Sequence, residues 1–279
     1  MIKETDVTII IPHLGGTKES EYALSQCLTS LRETAPNINV LVALNGRQCE
    51  HQSHTWAAAV DIKDQGQCKA VNSAVAITNT PWIFVTNDDM IYAPGWLDVL
   101  TANSQANDPK VYDKHLCISP QLIEPRAGAP TFEVYFAGGA GGDFNKDAWL
   151  LYAKDKMFQA GLRTGFNLPF LISRELWDTV GGYDINYDPW GSNGDSDLEY
   201  KIKLAGIQPY QNVGCKVYHF SQTSGTFEPR NDSFRFANYA YFKEKWGFDR
   251  TDNGIWEATF TIPDEGRKFR PEWEGKYAR

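Results

Sequence analysis

The first 110 residues alternate between short apolar runs and segments of helical periodicity, and this alternation constrains the fold more than any other feature. Residues 7–12 (VTIIIP) and 82–86 (WIFVT) are uncharged and rich in β-branched and aromatic residues, which is typical of parallel strands buried on both faces. Residues 19–34 carry apolar side chains at helical spacing. Further strands are predicted at 40–44 and 57–62, and further helices at 69–77 and 94–103. The alternation predicts an α/β fold with a doubly wound, mostly parallel sheet and flanking helices, followed by a C-terminal helical extension.

The second half of the chain is less regular. Residues 124–145 are rich in Gly and Pro and include GGAGG at 138–142, which we interpret as a mobile loop because no phosphate-binding glycine pattern is present. Helices are predicted at 174–180, 196–205 and 233–246. Residues 249–279 are polar and are expected to form a tail that packs back on the domain.

The composition limits which partners and which cellular compartment are expected. The formal net charge is -8 and no Lys/Arg run is present, which disfavours nucleic acid as a partner while leaving a local basic strip open. No apolar stretch approaches the length of a membrane span, and the start of the chain does not resemble a signal peptide. The 5 cysteines form no CxxC pair, which favours a reducing compartment and a cytoplasmic location.

An acidic pair follows the strand at 82–86. Asn87, Asp88 and Asp89 lie where that strand ends, and in doubly wound sheets ligands bind outside the carboxyl ends of the strands. Two adjacent carboxylates stay ionised at low cost when they are solvated or bound to a cation, and a hard divalent ion that bridges a diphosphate suits them. The alternative is an acidic turn that caps the next helix.

A second acidic cluster, GDSDL, enters the helix predicted at 196–205. Asp195 is a candidate general base for an attacking hydroxyl, although Asp195 or Ser196 could equally be the helix N-cap. Asp197 lies two residues away and on a different helix face, so a separate positional or structural role is expected for it. Trp190 could stack on the sugar ring that carries this hydroxyl or lie in the core. His219, after another strand-like run, is either structural or a metal ligand.

These segments occur in an order that resembles the family 2 inverting glycosyltransferases, which have the GT-A fold. The resemblance rests on seven segments spread over residues 5 to 248: VTIIIP, QCKAVNSAV, WIFVTNDDMIYAPGWL, GFNLPFLISRELWDTVGGYD, GDSDLEYKIKLAG, YHFSQTSG and NYAYFKEKWG. The segment around Asp89 is similar to the DxD region of that family, and GDSDL is similar to its Glu-Asp-x-Asp-Leu helix.

The resemblance implies a GT-A domain over residues 1–248, with a nucleotide-binding half (1–110) and an acceptor-binding half (111–248). It implies a nucleotide-sugar donor, a glycan or other hydroxyl acceptor, and Mn²⁺ or Mg²⁺. Asp195 takes the role of general base. The residues expected at the donor are Pro12, Asn45, Gly46, Asn72, Asn87 and Asp88. The expected metal ligands are Asp88, Asp89 and His219. The residues expected at the acceptor are Trp190, Asp197 and Gly182.

The sequence departs from the family pattern at three points. Asn45 stands nearest to the position of the usual base-contacting Asp, which puts a uridine donor in doubt. The DxD region reads NDD, so that either Asn87 or Asp88 pairs with Asp89. Gly194 replaces the acidic residue before the expected base. Two other functions stay open, a nucleotidyltransferase that makes nucleotide-sugars and a non-catalytic sugar-binding protein on the same fold.

Overall fold

The computed structural model describes residues 2–45, 57–61, 66–102, 116–126, 133–157, 161–221, 223 and 229–248. Gly46 and the predicted tail, residues 249–279, lie outside this part of the chain. Within it, the strands are β1 (Val7–His13), β2 (Asn39–Leu44), β3 (Ala58–Asp61), β4 (Trp82–Val85), β5 (Met90–Ile91), β6 (Cys117–Glu124), β7 (Glu133–Val134), β8 (Leu162–Thr164), β9 (Phe170–Ser173) and β10 (Tyr210–His219). The α-helices are α1 (Lys18–Thr34), α2 (Gln67–Ala76), α3 (Trp96–Thr101), α4 (Lys146–Lys156), α5 (Arg174–Val180), α6 (Gly194–Leu204) and α7 (Asp232–Trp246).

The described strands form one sheet in the order β3-β2-β1-β4-β9-β6-β10-β5, with β7 paired to β6 and β8 paired to β10. The first four strands of this order are parallel to one another, and β6 is parallel to both β10 and β7. By contrast, β9 is antiparallel to both of its neighbours, and β5 and β8 are antiparallel to β10. The sheet is therefore mixed but mostly parallel, as the alternation of strands and helices predicts.

Helices cover both faces of the sheet. Along β1, Val7, Ile9 and Ile11 point into one core, which α1, α3 and α4 complete, whereas Ile10 points into the other. The second core is completed by α2, α5, α6 and α7. All four of these β1 side chains are fully buried, which explains why the strand carries an unbroken apolar run rather than an alternating one.

Several predicted boundaries shift by a few residues. Helix α3 begins at Trp96 rather than Pro94, because Gly95 takes a left-handed conformation with φ +80° just before it. The N-cap of α6 is Asn193, with φ 72°, rather than Asp195 or Ser196. Asp195 consequently lies in the first turn of the helix, where its charge is favourable toward the helix dipole.

The Gly-rich segment at 138–142 is tied to the sheet where it begins. The Tyr218 hydroxyl in β10 donates to the Gly138 carbonyl at 2.7 Å and accepts from the Ala137 backbone N–H at 3.0 Å. A mobile loop was expected there, and these two bonds anchor its first residues to the core.

Two sequence-based expectations concern the chain as a whole. No helix in the described ranges combines the length and apolar character needed to cross a bilayer. Four described cysteines are free and buried, namely Cys27, Cys68, Cys117 and Cys215. Burial raises the pKa of each of these thiols, which argues against a catalytic thiolate among them.

Candidate active site

The carboxyl ends of five strands meet at one edge of the sheet. Because β9 is antiparallel to both β4 and β6, strands β1, β2, β4, β6 and β10 all run in the same direction. We call the edge at which they end the carboxyl edge. Polar or charged side chains lie at each of these ends, as expected for the ligand-binding side of an α/β sheet.

Asp88 is bound by a histidine of the protein. It lies in the turn between β4 and β5, and its Oδ2 is 2.5 Å from Nδ1 of His13, the last residue of β1. The other ring nitrogen of His13 is 3.3 Å from Glu21 Oε1 in α1. Burial lowers the pKa of His13, but the two carboxylates outweigh it and the net shift is upward. Burial also raises the pKa of Asp88, and His13 offsets this only in part.

Asp89 is held by the last residues of β10 and those that follow. Its backbone carbonyl accepts from the Phe220 N–H at 3.0 Å. Its Oδ2 accepts from the Thr223 hydroxyl at 2.8 Å and lies 3.3 Å from His219 Nε2. The other nitrogen of that ring, Nδ1, is 2.8 Å from Glu124 Oε1 at the end of β6. A histidine between two carboxylates thus joins the ends of β4, β6 and β10.

The charges in this group favour a protonated His219 beside an ionised Asp89. Burial lowers the pKa of His219, but Asp89 and Glu124 more than reverse this and raise its pKa to about 10. Burial raises the pKa of Asp89, whereas His219 and Thr223 lower it further than burial raises it. The second oxygen of Asp89, Oδ1, is buried and has no hydrogen-bond partner among the described residues. An ionised oxygen in this state is costly unless a ligand binds it.

Asn45 connects β1 and β2 to the start of α2. Its backbone N–H donates to the His13 carbonyl at 2.7 Å, and its Oδ1 accepts from the Gly66 N–H at 3.1 Å. The α2 N-terminus is capped from a distant segment, since the Asp188 carboxylate accepts from the N–H groups of Cys68 at 2.8 Å and Lys69 at 3.0 Å. Burial raises the pKa of Asp188 to about 6, and the two backbone bonds oppose that rise.

Asp195 is engaged by a buried tyrosine. The Tyr183 hydroxyl donates to Asp195 Oδ1 at 2.5 Å. The Tyr183 backbone is bound on both sides by Asn72 of α2, whose Nδ2 donates to the Tyr183 carbonyl at 2.8 Å and whose Oδ1 accepts from its N–H at 2.9 Å. The amide of Asn72 is therefore used inside the protein, although a contact with the donor was expected of it.

Contacts through α2 place Asp195 at the carboxyl edge. Gly194, the residue before it, packs on α2, because a Cβ built on Gly194 would lie 3.1 Å from Cys68 Sγ. Cys68 lies two residues from Gly66, whose N–H binds Asn45 at the end of β2. A Cβ at position 194 would require the Cys68 side chain to move by a few tenths of an ångström, so this tight contact favours glycine where the family pattern has a carboxylate.

A second route, through β9, leads to the same edge. The Tyr183 ring lies 6.5 Å, centroid to centroid, from the ring of Phe170, the first residue of β9. Phe170 pairs with Val85, the last residue of β4 and three residues from Asp88. The carboxylate that Tyr183 binds therefore lies at the sheet edge that carries the acidic pair.

The remaining predicted site residues fall into two groups. Pro12, Asn87 and Trp190 are partly exposed at or near the carboxyl edge. Gly182 and Asp197 are buried. Asp197 is fully enclosed and accepts hydrogen bonds from Trp246 Nε1 at 2.8 Å and the Tyr187 hydroxyl at 3.2 Å, so its carboxylate is an internal anchor rather than an acceptor contact. Gly182 has φ +66°, and a Cβ there would lie 2.8 Å from Asn72 Oδ1.

Three residues of this site were not predicted from the sequence. His13 and Glu124 each end a strand, and their position at a strand end was the available signal. Glu124 was not predicted because the segment CISPQLIE contains a proline and three polar residues, and its pattern therefore does not indicate a buried strand. Tyr183 follows Gly182, which was expected at the acceptor, but the sequence alone suggested no role for the phenol.

Comparisons with known proteins support the fold. No profile of a known protein family matches the chain. A galactofuranosyl glycosyltransferase of Leishmania donovani is 25% identical over 222 residues, which cover 70% of this chain and 48% of that protein. The chain thus spans about half the length of this curated relative.

Two solved structures have the same fold. The structure of GalNAc-T7 with UDP, GalNAc and Mn²⁺ matches 98% of this chain and 55% of its own, with a TM-score of 0.61 and 16% identity. The mannosyltransferase PcManGT of Pyrobaculum calidifontis, in complex with GDP-Man and Mn²⁺, matches 99% of this chain and 74% of its own, with a TM-score of 0.56 and 15% identity. The chain therefore has the GT-A fold that these glycosyltransferases share, as the sequence resemblance implied.

Proposed function

We propose that this chain is a metal-dependent glycosyltransferase that moves a sugar from a nucleotide diphosphate sugar to an acceptor hydroxyl with inversion, in the manner of family 2. The observation that carries the proposal is a chain of contacts from Asp195 to the end of β4. Asp89, whose buried Oδ1 has no hydrogen-bond partner among the described residues, follows β4, and Asp195, in the first turn of α6, is connected to the last residue of that strand through Tyr183 and Phe170. The fold and the names of the similar proteins support this assignment.

The residues around Asp89 fit a divalent cation that takes some of its ligands from the protein and the others from substrate phosphates. In the described ranges, no group of three or more His, Cys, Asp and Glu side chains is arranged to hold a metal ion. Mn²⁺ or Mg²⁺ in phosphate-transfer sites is commonly held by one or two side chains together with substrate phosphates, so a complete protein cage is not required. Asp89 Oδ1 supplies the carboxylate oxygen. His219, whose Nε2 lies 3.3 Å from Asp89 Oδ2, is a second candidate ligand only with that nitrogen deprotonated, since an imidazole must be neutral to bind a metal. A bound cation would neutralise charge that builds on the departing nucleoside diphosphate.

Asp89 is a better candidate ligand than Asp88. The Oδ2 atom of Asp88 is 2.5 Å from His13, which in turn contacts Glu21, so this carboxylate already has a partner inside the protein. We assign Asp88 and Asn87 as contacts to the nucleotide-sugar donor. Pro12 and Asn45, at the ends of β1 and β2, are assigned to the nucleotide.

The reaction at Asp195 is a proton transfer. The carboxylate accepts the proton of the acceptor hydroxyl, and the oxygen attacks the anomeric carbon while the bond from that carbon to the diphosphate breaks. One displacement of this kind inverts the anomeric configuration. Trp190, partly exposed five residues before Asp195, is assigned to the acceptor.

The test is a transfer assay on the full chain with Mn²⁺ and a panel of UDP- and GDP-sugars that includes galactofuranose, N-acetylgalactosamine and mannose donors. Release of nucleoside diphosphate and the labelled product are measured together. Asp195→Asn should retain donor binding and lose about 10²- to 10⁴-fold in turnover. Asp178→Asn removes a carboxylate on the exposed surface of α5 and should leave turnover unchanged. Unchanged turnover in Asp195→Asn would end the assignment of the base.

A second measurement tests the metal. Asp89→Ala should abolish Mn²⁺-dependent donor binding measured by calorimetry, because it removes the buried oxygen assigned to the cation. Intact, metal-sensitive affinity would contradict this assignment. Pyrophosphate release from a nucleoside triphosphate and a sugar phosphate would instead identify a nucleotidyltransferase. Donor binding without hydrolysis or transfer for every donor would identify a sugar-binding protein.

A further inference from the structure

The hydroxyl of Tyr183 is fixed by the packing of its ring. The side chain is buried, and its hydroxyl donates to Asp195 Oδ1 at 2.5 Å. The ring meets Trp177 edge to face, with centroids 5.7 Å apart and an interplanar angle of 80°. Phe170 of β9 closes another side. A ring enclosed by aromatic neighbours in a close-packed interior cannot reorient its hydroxyl without disturbing them.

The backbone of Tyr183 is fixed as well. Asn72, itself buried, makes two hydrogen bonds to it, at 2.8 Å and 2.9 Å. The preceding Gly182 carbonyl accepts from the buried Lys201 ammonium in α6. Gly182 packs so closely that any side chain there would overlap Asn72 and Trp177. Three helices, α2, α5 and α6, therefore set the position of one phenol.

In the hydrogen bond between Tyr183 and Asp195, the shared proton belongs to the phenol. Burial and the neighbouring Asp195 carboxylate raise the pKa of Tyr183 well above its ordinary value, so the phenol remains a donor across the neutral range. A hydrogen bond donated to a carboxylate favours its ionised form. A carboxylate must be ionised and correctly oriented before it can accept a proton from a substrate.

We infer that Tyr183 is a positioning residue for Asp195, whose hydroxyl holds the carboxylate in one orientation and keeps it ionised for proton abstraction. This inference rests on the proposed role of Asp195 as the base. Other titratable groups lie near this pair and remain in place when the hydroxyl alone is removed. The Cys68 thiol of α2 interacts electrostatically with Asp195 and also with the carboxylates of Asp184, Asp188 and Asp197. The ammonium groups of Lys201 and Lys245 pair with Asp197 and Asp184.

The chain offers a matched control in Tyr187. Its ring is also fully buried, and its hydroxyl donates to Asp197 Oδ1 at 3.2 Å rather than to Asp195. Tyr183→Phe and Tyr187→Phe thus delete the same atom, from rings four residues apart, with a carboxylate as the acceptor in each case. A loss that arises only from weaker packing or stability would occur in both variants.

The experiment combines ¹³C NMR titration of carboxyl-labelled aspartate in the full chain with transfer kinetics. The Asp195 resonance is assigned with Asp195→Asn. In Tyr183→Phe the pKa of Asp195 should rise, the acidic limb of the kcat profile should move to higher pH, and kcat should fall about 10- to 100-fold at unchanged donor KM. In Tyr187→Phe the Asp195 pKa and the kcat profile should match the wild type.

The titration separates this inference from the proposed function. A raised Asp195 pKa in a chain that transfers no sugar would support the hydrogen bond and refute the transferase. An Asp195 pKa and a kcat profile unchanged in Tyr183→Phe would overturn the inference. If Tyr183→Phe does not fold, the same bond is tested in the wild type, where the Tyr183 hydroxyl proton should give a downfield resonance that moves upfield in Asp195→Asn. Absence of that change would also overturn it.

Discussion

Lys245 in α7 lies between two carboxylates that are fully buried. Its Nζ is 2.7 Å from Asp184 Oδ2 and 2.8 Å from Asp197 Oδ1, and its side chain is only 5% exposed. A second ammonium, on Lys201, lies 3.6 Å from Asp197 Oδ2. Two negative and two positive groups are thus balanced in the interior, and the loss of one ammonium leaves a carboxylate uncompensated.

Lys245→Met keeps most of the aliphatic stem and removes the charge. Breaking a buried pair by removing one partner costs about 3 to 5 kcal/mol, because the other charge stays buried. At about 2 to 4 °C per kcal/mol for a chain of this size, the midpoint of thermal unfolding should fall by roughly 6 to 20 °C. Lys243→Met, on the exposed side of the same helix, should change stability by less than about 0.5 kcal/mol.

The difference in stability between the wild type and Lys245→Met should depend on pH, in a direction that the pKa of Asp184 sets. Burial raises the pKa of Asp184, but Lys245 together with the hydrogen bonds from Asn186 and Tyr241 outweighs it, so the net shift is downward. A carboxyl whose pKa is lower in the folded state stabilises the fold above its unfolded pKa of about 3.9 and loses that contribution as the pH falls through the folded pKa. The stability gap between wild type and Lys245→Met should therefore narrow below about pH 4.

Urea unfolding at pH 7, 5 and 3.5, followed by circular dichroism, measures this gap directly. A gap below about 1 kcal/mol at pH 7 would refute the argument that the charge balance holds α7 in place. A gap that widens on acidification would refute the assigned sign.

Two further predictions concern the cap of α2. Gly66→Ala should lower the free energy of unfolding by about 2 to 5 kcal/mol, because φ is +106° there and a Cβ would lie 2.1 Å from Asp188 Cγ; a thermal midpoint close to that of the wild type would contradict this. Asp188 should titrate at about pH 6 in the folded chain, so its contribution to stability should increase as the pH falls from about 6 to 4, and Asp188→Asn should lack this dependence. A titration near the ordinary value for aspartate, measured by NMR, would disprove the second prediction.

The strands β1 and β4 could be predicted from the sequence because their pattern is local. The runs at 7–12 and 82–86 are apolar on both faces, and the structure buries both faces. The pattern fails for β6, since its eight residues are all buried yet include Ser119, Gln121 and Glu124, each of which has a polar partner more than 40 residues away along the chain. The antiparallel direction of β9 likewise depends on partners about 50 and 90 residues away.

The sequence points to the candidate carboxylates, whereas their partners become visible only in the structure. Asp89 and Asp195 are chemically conspicuous and lie beside turn residues, which local sequence reveals. Their partners are set by tertiary contacts, as with His219 at 3.3 Å from Asp89 and Tyr183 at 2.5 Å from Asp195. Asp197 shows the opposite error, since a carboxylate in the motif was expected at the acceptor and instead anchors α7.

The reversed strand β9 has a consequence for the order in which the chain can acquire its structure. Its four residues are the hydrogen-bonded link between β4 and β6, so during synthesis the two blocks of the sheet stay unjoined until Phe170 to Ser173 have emerged. Until then β4 presents an open backbone edge, which is a template for unwanted pairing between chains. Fragments that end before position 170 should consequently aggregate, whereas those that extend past 173 can seal the edge.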